Sequence, residues 1–261
     1  MGAAGFPSCC WTRRFFPRDK VCGDGLAPQA LYWLEILGCV DEVLEQTRSF
    51  CVQGDIYLNG KQVLREMFPQ NTPYPGFSVL LPRRKLDHIL VRNAVFHGAL
   101  FRPGCRVKGL RWFPDGIVVE AVEDQGPVHF KARLVIGADG ANSVITRCIG
   151  NRVMRGATAV SLRGYYRGAC LNGPPIRVYF DERSFPGYGW VFVDDEGMAN
   201  VGIGYAFDEK FPVKPNLKSM FHRFTQEDLK ESLKFEEAIE KPKGGGLPFT
   251  GTRPWWRSGS W

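Results

Sequence analysis

The sequence lacks the features that would place it across a membrane or around a metal ion. No apolar run approaches the roughly 18 residues that cross a bilayer, and the N-terminus has neither the charged nor the apolar region of a signal peptide. The eight cysteines include no C-x-x-C pair, and the four histidines fall in no ligand pattern. We therefore expect no metal site, free thiols and a cytoplasmic location.

The sequence also lacks a basic stripe of the kind that binds nucleic acid. The formal net charge is +7, but lysine and arginine are scattered apart from two short runs at residues 13–14 and 83–85. This pattern predicts a solvated basic face and no nucleic-acid partner. With 261 residues, 44% of them hydrophobic, the chain can bury the core of one or two domains.

The most informative segment that is present is residues 134–144, Leu-Val-Ile-Gly-Ala-Asp-Gly-Ala-Asn-Ser-Val. It predicts a buried apolar strand, a sharp turn and a helix that Ser143 or the preceding asparagine caps. Gly137 and Gly140 would let the backbone turn and approach a ligand closely. Asp139 would then stand at the carboxyl end of a parallel strand, where open α/β sheets bind ligands. On the residues alone, an ordinary strand-to-helix turn is an equally good interpretation.

Three further segments occur in a characteristic order. They are residues 16–26 (Phe-Pro-Arg-Asp-Lys-Val-Cys-Gly-Asp-Gly-Leu), residues 83–90 (Arg-Arg-Lys-Leu-Asp-His-Ile-Leu), and the pair 186–192 and 199–204, which contains Tyr-x-Trp-x-Phe. Together with the aspartate turn they resemble the geranylgeranyl reductase family, a branch of the p-hydroxybenzoate hydroxylase-like FAD enzymes. The resemblance covers nearly the whole chain. Val193 stands where that family usually has proline.

The resemblance implies FAD as cofactor and NAD(P)H as reductant. It implies that Cys22 faces the flavin and supplies a proton, since a thiol near a lysine or a flavin can act as an acid. The cofactor-binding residues that it implies are Arg18, Lys20, Gly23, Asp24, Gly25, Leu26, Arg83, Gly137, Ala138, Asp139 and Gly140. The residues that it implies around a lipid substrate are Tyr188, Trp190 and Phe192.

Each of these residues has a plainer interpretation. Cys22 could be a small buried apolar residue, the usual state of a free cysteine. Arg83 could lie on a solvated helix face. Tyr188, Trp190 and Phe192 alternate along one strand and therefore share a face, which on sequence evidence alone is more often core than cavity lining.

The family's G-x-G-x-x-G turn, which holds the FAD pyrophosphate, is not found in the sequence. Basic residues stand in the opening segment 1–14, where the resemblance calls for an apolar strand ending in an acidic residue, and the Trp-rich residues 255–261 stand just before the expected Gly-Asp segment. We therefore expect a truncated or frame-shifted chain with impaired FAD binding and a marginal fold.

The predicted fold class is α/β, α+β overall. An incomplete Rossmann-like FAD-binding domain would comprise residues 1–49 and 83–153, and an antiparallel β-sheet substrate domain would comprise residues 50–82 and 154–261. Within these domains the patterns predict a helix after Pro28, a hairpin turning at Asn59-Gly60, a strand meander over residues 107–130, and helices over residues 216–224 and 227–240.

The predicted function is an FAD-dependent oxidoreductase that reduces isoprenoid double bonds. The predicted partner is a small isoprenoid molecule, and contact with the membrane surface where such a substrate resides stays open, as does the oligomeric state. Two alternatives are kept: an FAD-dependent aromatic hydroxylase or halogenase on the same scaffold, and a non-catalytic fragment.

Overall fold

The computed structural model describes residues 7–47, 49–150, 159–207, 216–230 and 233–247. The strands in these ranges are β1 (Cys9–Thr12), β2 (Gly25–Leu26), β3 (Phe50–Cys51), β4 (Gln53–Leu58), β5 (Lys61–Met67), β6 (Ser78–Leu80), β7 (Leu100–Pro103), β8 (Arg106–Phe113), β9 (Gly116–Glu123), β10 (Gly126–Ala132), β11 (Ala159–Arg167), β12 (Ile176–Phe180), β13 (Gly187–Val193), β14 (Ala199–Ala206), β15 (Glu237–Ala238) and β16 (Lys243–Leu247). The helices are α1 (Pro28–Ile36), α2 (Val40–Gln46), α3 (Arg83–Phe96), α4 (Val144–Cys148) and α5 (Leu217–Arg223), and a π-helical turn, Phe224–Asp228, follows α5. This mixed content confirms the predicted α/β class.

The chain divides into two compact units. Among the described residues, the first comprises those between 19 and 93 and between 159 and 245, and the second comprises 7–18, 94–150 and 246–247. The predicted domain boundaries differ from this division, because residues 19–49 group with the β-sheet unit: β2 and β3 both pair with β6. The assignment of cofactor and substrate to separate domains stays a prediction.

The first unit contains one large sheet, with strand order β15-β11-β14-β13-β12-β4-β5 and β16 also paired to β11. Along this path every pair is antiparallel except β4 with β12, which is parallel. The predicted antiparallel sheet is therefore present, with one parallel pair in addition. Helix α5 packs on β14 and β11. The buried core that includes residues of β13, β14 and α5 contains Val191, Val201, Ile203, Phe221 and Phe224.

A second, three-stranded sheet in this unit, ordered β2-β6-β3, packs with helices α1, α2 and α3. Helix α1 begins at Pro28, as predicted, because proline suits a first helical turn. The predicted hairpin is also confirmed. Asn59 and Gly60 have φ values of +46° and +77°, and only residues that tolerate the left-handed region form this turn between β4 and β5.

The second unit contains the predicted meander, with strand order β10-β9-β8, and a parallel pair of β1 with β7. The opening segment, where the resemblance calls for an apolar strand, contains a strand in its described part, β1 (Cys9–Thr12). Backbone pairing with β7 needs no apolar alternation, and Trp11 packs on Phe130 at 5.2 Å between ring centroids. The other expectations about the two ends of the chain concern residues 1–6 and 248–261. These residues lie outside the described ranges.

Two other predicted elements are corrected. The buried strand predicted at residues 134–136 is absent: the segment is irregular, and Leu134 and Ile136 are 75% and 82% exposed. A central parallel strand needs neighbours on both sides, and no described strand pairs with it. The helix predicted over residues 227–240 is wrong: the π-helical turn ends at Asp228, and the described residues 233–240 contain no helix. There Glu237–Ala238 pairs with the edge of β11, which satisfies its backbone.

No helix in the described ranges is both long and apolar enough to cross a membrane. In the same ranges, no three His, Cys, Asp or Glu side chains are grouped so as to hold a metal ion.

Candidate functional site

The segment 20–26, here called the thiol loop, is positioned by the short strand β2 at its end. Gly25 and Leu26 pair with Leu80 and Val79 of β6, and the Leu26 side chain is only 7% exposed in the helical core. The loop is therefore anchored on its C-terminal side. Cys22 lies just before this anchor and is partly exposed.

The thiol loop packs against the aromatic strand β13. A Cβ atom built at Gly23 would lie 2.6 Å from Cε2 of Phe192, so only glycine permits this approach. Trp190 is buried at 6% exposure, whereas Tyr188 is 44% exposed. The structure thus brings Cys22 and Gly23 together with two of the three predicted aromatic residues, and it leaves Tyr188 on the surface of the same strand.

A buried asparagine, which the sequence did not single out, joins these two segments. Asn200 of β14 is 2% exposed. Its side chain accepts a hydrogen bond from Trp190 Nε1 at 2.9 Å and donates one to the Cys22 carbonyl oxygen at 3.1 Å. A lone asparagine in an apolar strand carries little sequence signal. The only hint is that a buried amide needs partners.

Asp24 is the buried carboxylate of the thiol loop, at 5% exposure. The one proton of the Tyr165 hydroxyl is donated to this carboxylate, whose two oxygens lie 3.0 and 2.7 Å from the hydroxyl oxygen. Burial raises the pKa of Asp24 above its usual range, although hydrogen bonds from Asn200 and Tyr165 and the charge of Arg163 oppose the rise. Burial and the neighbouring Asp24 also raise the pKa of the Tyr165 hydroxyl. The hydroxyl therefore stays protonated and donates the hydrogen bond to Asp24.

Arg83 opens helix α3 beside the thiol loop. Its guanidinium forms an ion pair with Asp87, one turn later, at 2.7 Å. Burial disfavours the Arg83 cation, but the hydrogen bond and charge of Asp87, with smaller contributions from the Cys22 sulfur, hold its pKa above the ordinary value. The solvated-face interpretation of Arg83 is therefore wrong: the side chain is 18% exposed and stands next to the thiol.

The predicted aspartate turn belongs to the second unit and is described by itself. The Asp139 carboxylate accepts a hydrogen bond from the Ser143 hydroxyl and another from Val144 N at 2.6 Å, so it caps helix α4. Ser143 caps the same helix by accepting from Thr146 N, as predicted. Gly140 has φ +80°, and a Cβ at Gly137 would lie 2.7 Å from that of Ile145. Asp139 therefore stabilises the start of helix α4. The turn itself is exposed to solvent.

Two other residues of the predicted cofactor site, Arg18 and Lys20, contact residues outside that site. Arg18, also in the second unit, stacks its guanidinium over the Phe16 ring at 4.9 Å. Lys20 in the first unit offers its carbonyl oxygen to Arg163 at 3.4 Å. A surface cavity of about 550 Å³ in the second unit is lined in part by Phe15 and Arg102, and contains none of the predicted site residues.

The sequence model of the family described as "FAD binding domain" matches residues 4–185. The chain belongs to this family of FAD-binding proteins. Among curated proteins it is similar to a menaquinone reductase of Mycolicibacterium smegmatis, with 30% identity over 84% of this chain and 56% of that protein. It is also similar to a digeranylgeranylglycerophospholipid reductase of Methanosarcina mazei, with 30% identity over 66% of this chain and 42% of that protein. The chain thus spans about half the length of these relatives.

Solved structures share the fold. A geranylgeranyl bacteriochlorophyll reductase-like protein of Thermoplasma acidophilum matches with a TM-score of 0.73 and 21% identity, over 93% of this chain and 60% of that one. A flavin-dependent halogenase, CmlS, matches with a TM-score of 0.73 and 18% identity, over 93% and 45%. The resemblance to the geranylgeranyl reductases, predicted from four sequence motifs, is confirmed.

Proposed function

We propose that this chain carries the thiol and the aromatic substrate strand of an FAD-dependent oxidoreductase that reduces isoprenoid double bonds with NAD(P)H. The observation that carries the proposal is the packing of the thiol loop on strand β13, where Gly23 contacts Phe192. A proton donor and an apolar, aromatic strand thereby lie side by side. The names of the two curated relatives, both reductases, support the same reaction class.

The residues at the thiol loop suit a flavin. Arg83 presents a partly buried guanidinium beside Cys22, and its forked donors match the carbonyl oxygens of a flavin ring. In the second unit, the exposed backbone at Gly140 suits close approach to a nucleotide, although Asp139 is already bonded to its own helix. Bound FAD would supply the hydride that NAD(P)H delivers.

Cys22 would donate the proton that accompanies hydride addition to the double bond. The S–H bond breaks, a C–H bond forms at the alkene carbon, and a thiolate is left on Cys22. Arg83 lies beside the sulfur, and its positive charge would stabilise that thiolate. The neighbouring rings of Trp190 and Phe192 would exclude water from an apolar substrate.

Separate half-reactions test this role. In protein saturated with added FAD, Cys22→Ser should retain flavin binding and flavin reduction by NAD(P)H, and should lose at least about tenfold in reduction of a geranylgeranyl substrate. Cys170→Ser, at an exposed free cysteine, is the matched control and should behave as wild type. Undiminished alkene reduction in Cys22→Ser would exclude the thiol as donor, and failure of the wild-type chain to bind FAD would favour the non-catalytic alternative.

A monooxygenase or halogenase is the second candidate function, and the fold shared with CmlS favours it. Such chemistry needs no thiol beside the substrate. Oxygen consumption that depends on an aromatic substrate, with no reduction of alkenes under anaerobic conditions, would support this candidate over the reductase.

A further inference from the structure

The side chain of Asn200 joins two segments of the first unit by hydrogen bonds. It lies in β14, whose neighbouring residues Val201 and Ile203 are almost fully buried and apolar. An amide buried there without partners would be destabilising, so its bonds must be made inside the protein. They are made to three groups: the indole of Trp190, the backbone carbonyl of Cys22 and the carboxylate of Asp24.

The chemistry of these partners fixes the orientation of the amide. The indole Nε1–H of Trp190 can only donate, so the Asn200 oxygen must face it. The Nδ2 group therefore points to the thiol loop, where the Cys22 carbonyl and the Asp24 carboxylate can only accept. Both ends of the amide are needed. An aspartate could bond the indole but could not donate to the loop, and an alkyl side chain could do neither.

The bond to Cys22 bridges 178 residues of sequence and acts on the residue that bears the thiol. On the N-terminal side, the residue just before the thiol loop, Asp19, is also attached, because its carboxylate accepts a hydrogen bond from Arg163 at 2.8 Å. Between Asp19 and the β2 anchor, Asn200 is the side chain that holds the Cys22 backbone.

We propose that Asn200 is a positioning residue that sets the place of the Cys22 thiol relative to the aromatic strand. Its Nδ2 group binds the thiol loop and its oxygen binds Trp190. Because one side chain bonds both segments, it fixes the position of the thiol loop relative to the aromatic strand β13. The proposal rests on the function proposed above for Cys22, and it extends that site to a residue that makes no contact with the reacting atoms.

Alkylation of the chain without FAD or alkene tests the proposal. Asn200→Asp keeps an acceptor for Trp190, removes both loop bonds and places a carboxylate near Asp24. Each net hydrogen bond corresponds to roughly a fivefold change in an opening equilibrium. Since two are lost, the iodoacetamide rate at Cys22, followed by peptide mass spectrometry, should rise at least about fivefold. Cys39 and Cys51, which are 4% and 1% exposed, should stay protected.

Trp190→Phe is the matched control, because it removes the indole bond and leaves the two loop bonds intact. Its Cys22 rate should change by less than about twofold. If Asn200→Asp does not fold, the uncharged Asn200→Ser gives the same comparison. An unchanged Cys22 rate in a folded Asn200 variant overturns the proposal, and so does a parallel rise at Cys39 and Cys51, which would show general loosening. Failure of the proposed reaction shows separately, as retained alkene reduction in Cys22→Ser.

Discussion

The guanidinium of Arg163 lies over the ring of Tyr165, with its central carbon 4.0 Å from the ring centroid. The two residues are two positions apart on β11 and therefore share a face of the sheet. Arg163 binds Asp19 at 2.8 Å, and the Tyr165 hydroxyl binds Asp24. One strand thus holds the thiol loop on both sides of Cys22, through an ion pair before it and a hydrogen bond after it.

Replacement of Arg163 should destabilise the protein. Its side chain is fully buried and pairs with Asp19 and with Glu240, the latter at 3.0 Å. Arg163→Met should lower the free energy of unfolding by roughly 1–3 kcal/mol, less than for a fully buried partner, because both carboxylates keep some exposure. Arg183 also forms an ion pair, but its side chain is 54% exposed. Arg183→Met should therefore lower the free energy of unfolding by less than about 1 kcal/mol. Equal losses in urea unfolding would contradict this prediction.

Asp24 should make stability fall as the pH rises. Burial raises its pKa above the usual 3.8, so the folded protein holds the proton more tightly than the unfolded chain. That contribution is complete below pH 3.8 and is lost as the pH rises through the folded-state pKa. Asp24→Asn should therefore gain stability relative to wild type at neutral pH, and the gain should disappear in acid.

Asp115→Asn is the control of opposite sign. The hydrogen bond and charge of Lys131 lower the pKa of Asp115, so its contribution is present at neutral pH and lost as the pH falls through its folded-state pKa. Urea unfolding over a pH series should separate the two variants. A neutral-pH stability loss in Asp24→Asn would show that its ionised form is the one the fold prefers.

Gly202 and Gly204 offer a matched pair around Trp190. A Cβ at Gly202 would lie 2.0 Å from the Trp190 ring, whereas one at Gly204 would lie 3.9 Å from it. Gly202→Ala should force the ring to move and should cost roughly 1–3 kcal/mol of stability. Gly204→Ala should be near neutral. Urea unfolding of both variants is the measurement, and equal effects would mean that the Trp190 ring adapts freely.

Asp139→Ala should weaken the cap of helix α4. Loss of the bonds from Ser143 and Val144 should lower the unfolding free energy by about 0.5–2 kcal/mol. Asp124→Ala, in a surface turn, is the control and should change it little. If FAD binding also weakens in proportion, the carboxylate serves the cofactor in addition; loss of FAD binding at unchanged stability would contradict the capping role.

The local parts of this fold could be predicted from short patterns. The Asn59-Gly60 turn and the Pro28 helix start are set by residues within a few positions, and both were found. The helix expected over residues 227–240 failed, because the edge of β11 captured Glu237–Ala238 as a strand. A helical pattern does not reveal an available edge elsewhere in the chain.

The candidate site, too, could be predicted from the sequence only in part. The motifs predict Cys22, Gly23 and Arg83, and the structure places them together; their role in a site stays a prediction. Asn200 was missed, since its partners lie 10 and 178 residues away and no spacing rule connects them. For Asp139 the motif indicated the turn correctly, but the use of the carboxylate within its own helix depends on side-chain geometry that the motif does not contain.

The parallel pair of β4 with β12 has a consequence for biosynthesis. Asn59, at the end of β4, bonds Glu182, which is 123 residues later in the chain. At about 5–20 residues per second, a ribosome needs roughly ten seconds to make the intervening residues. During that interval the β4 edge of the hairpin has no β12 to pair with. The unpaired edge is a target for a chaperone that binds nascent chains, and slowed translation of the intervening residues should increase misassembly of the hairpin.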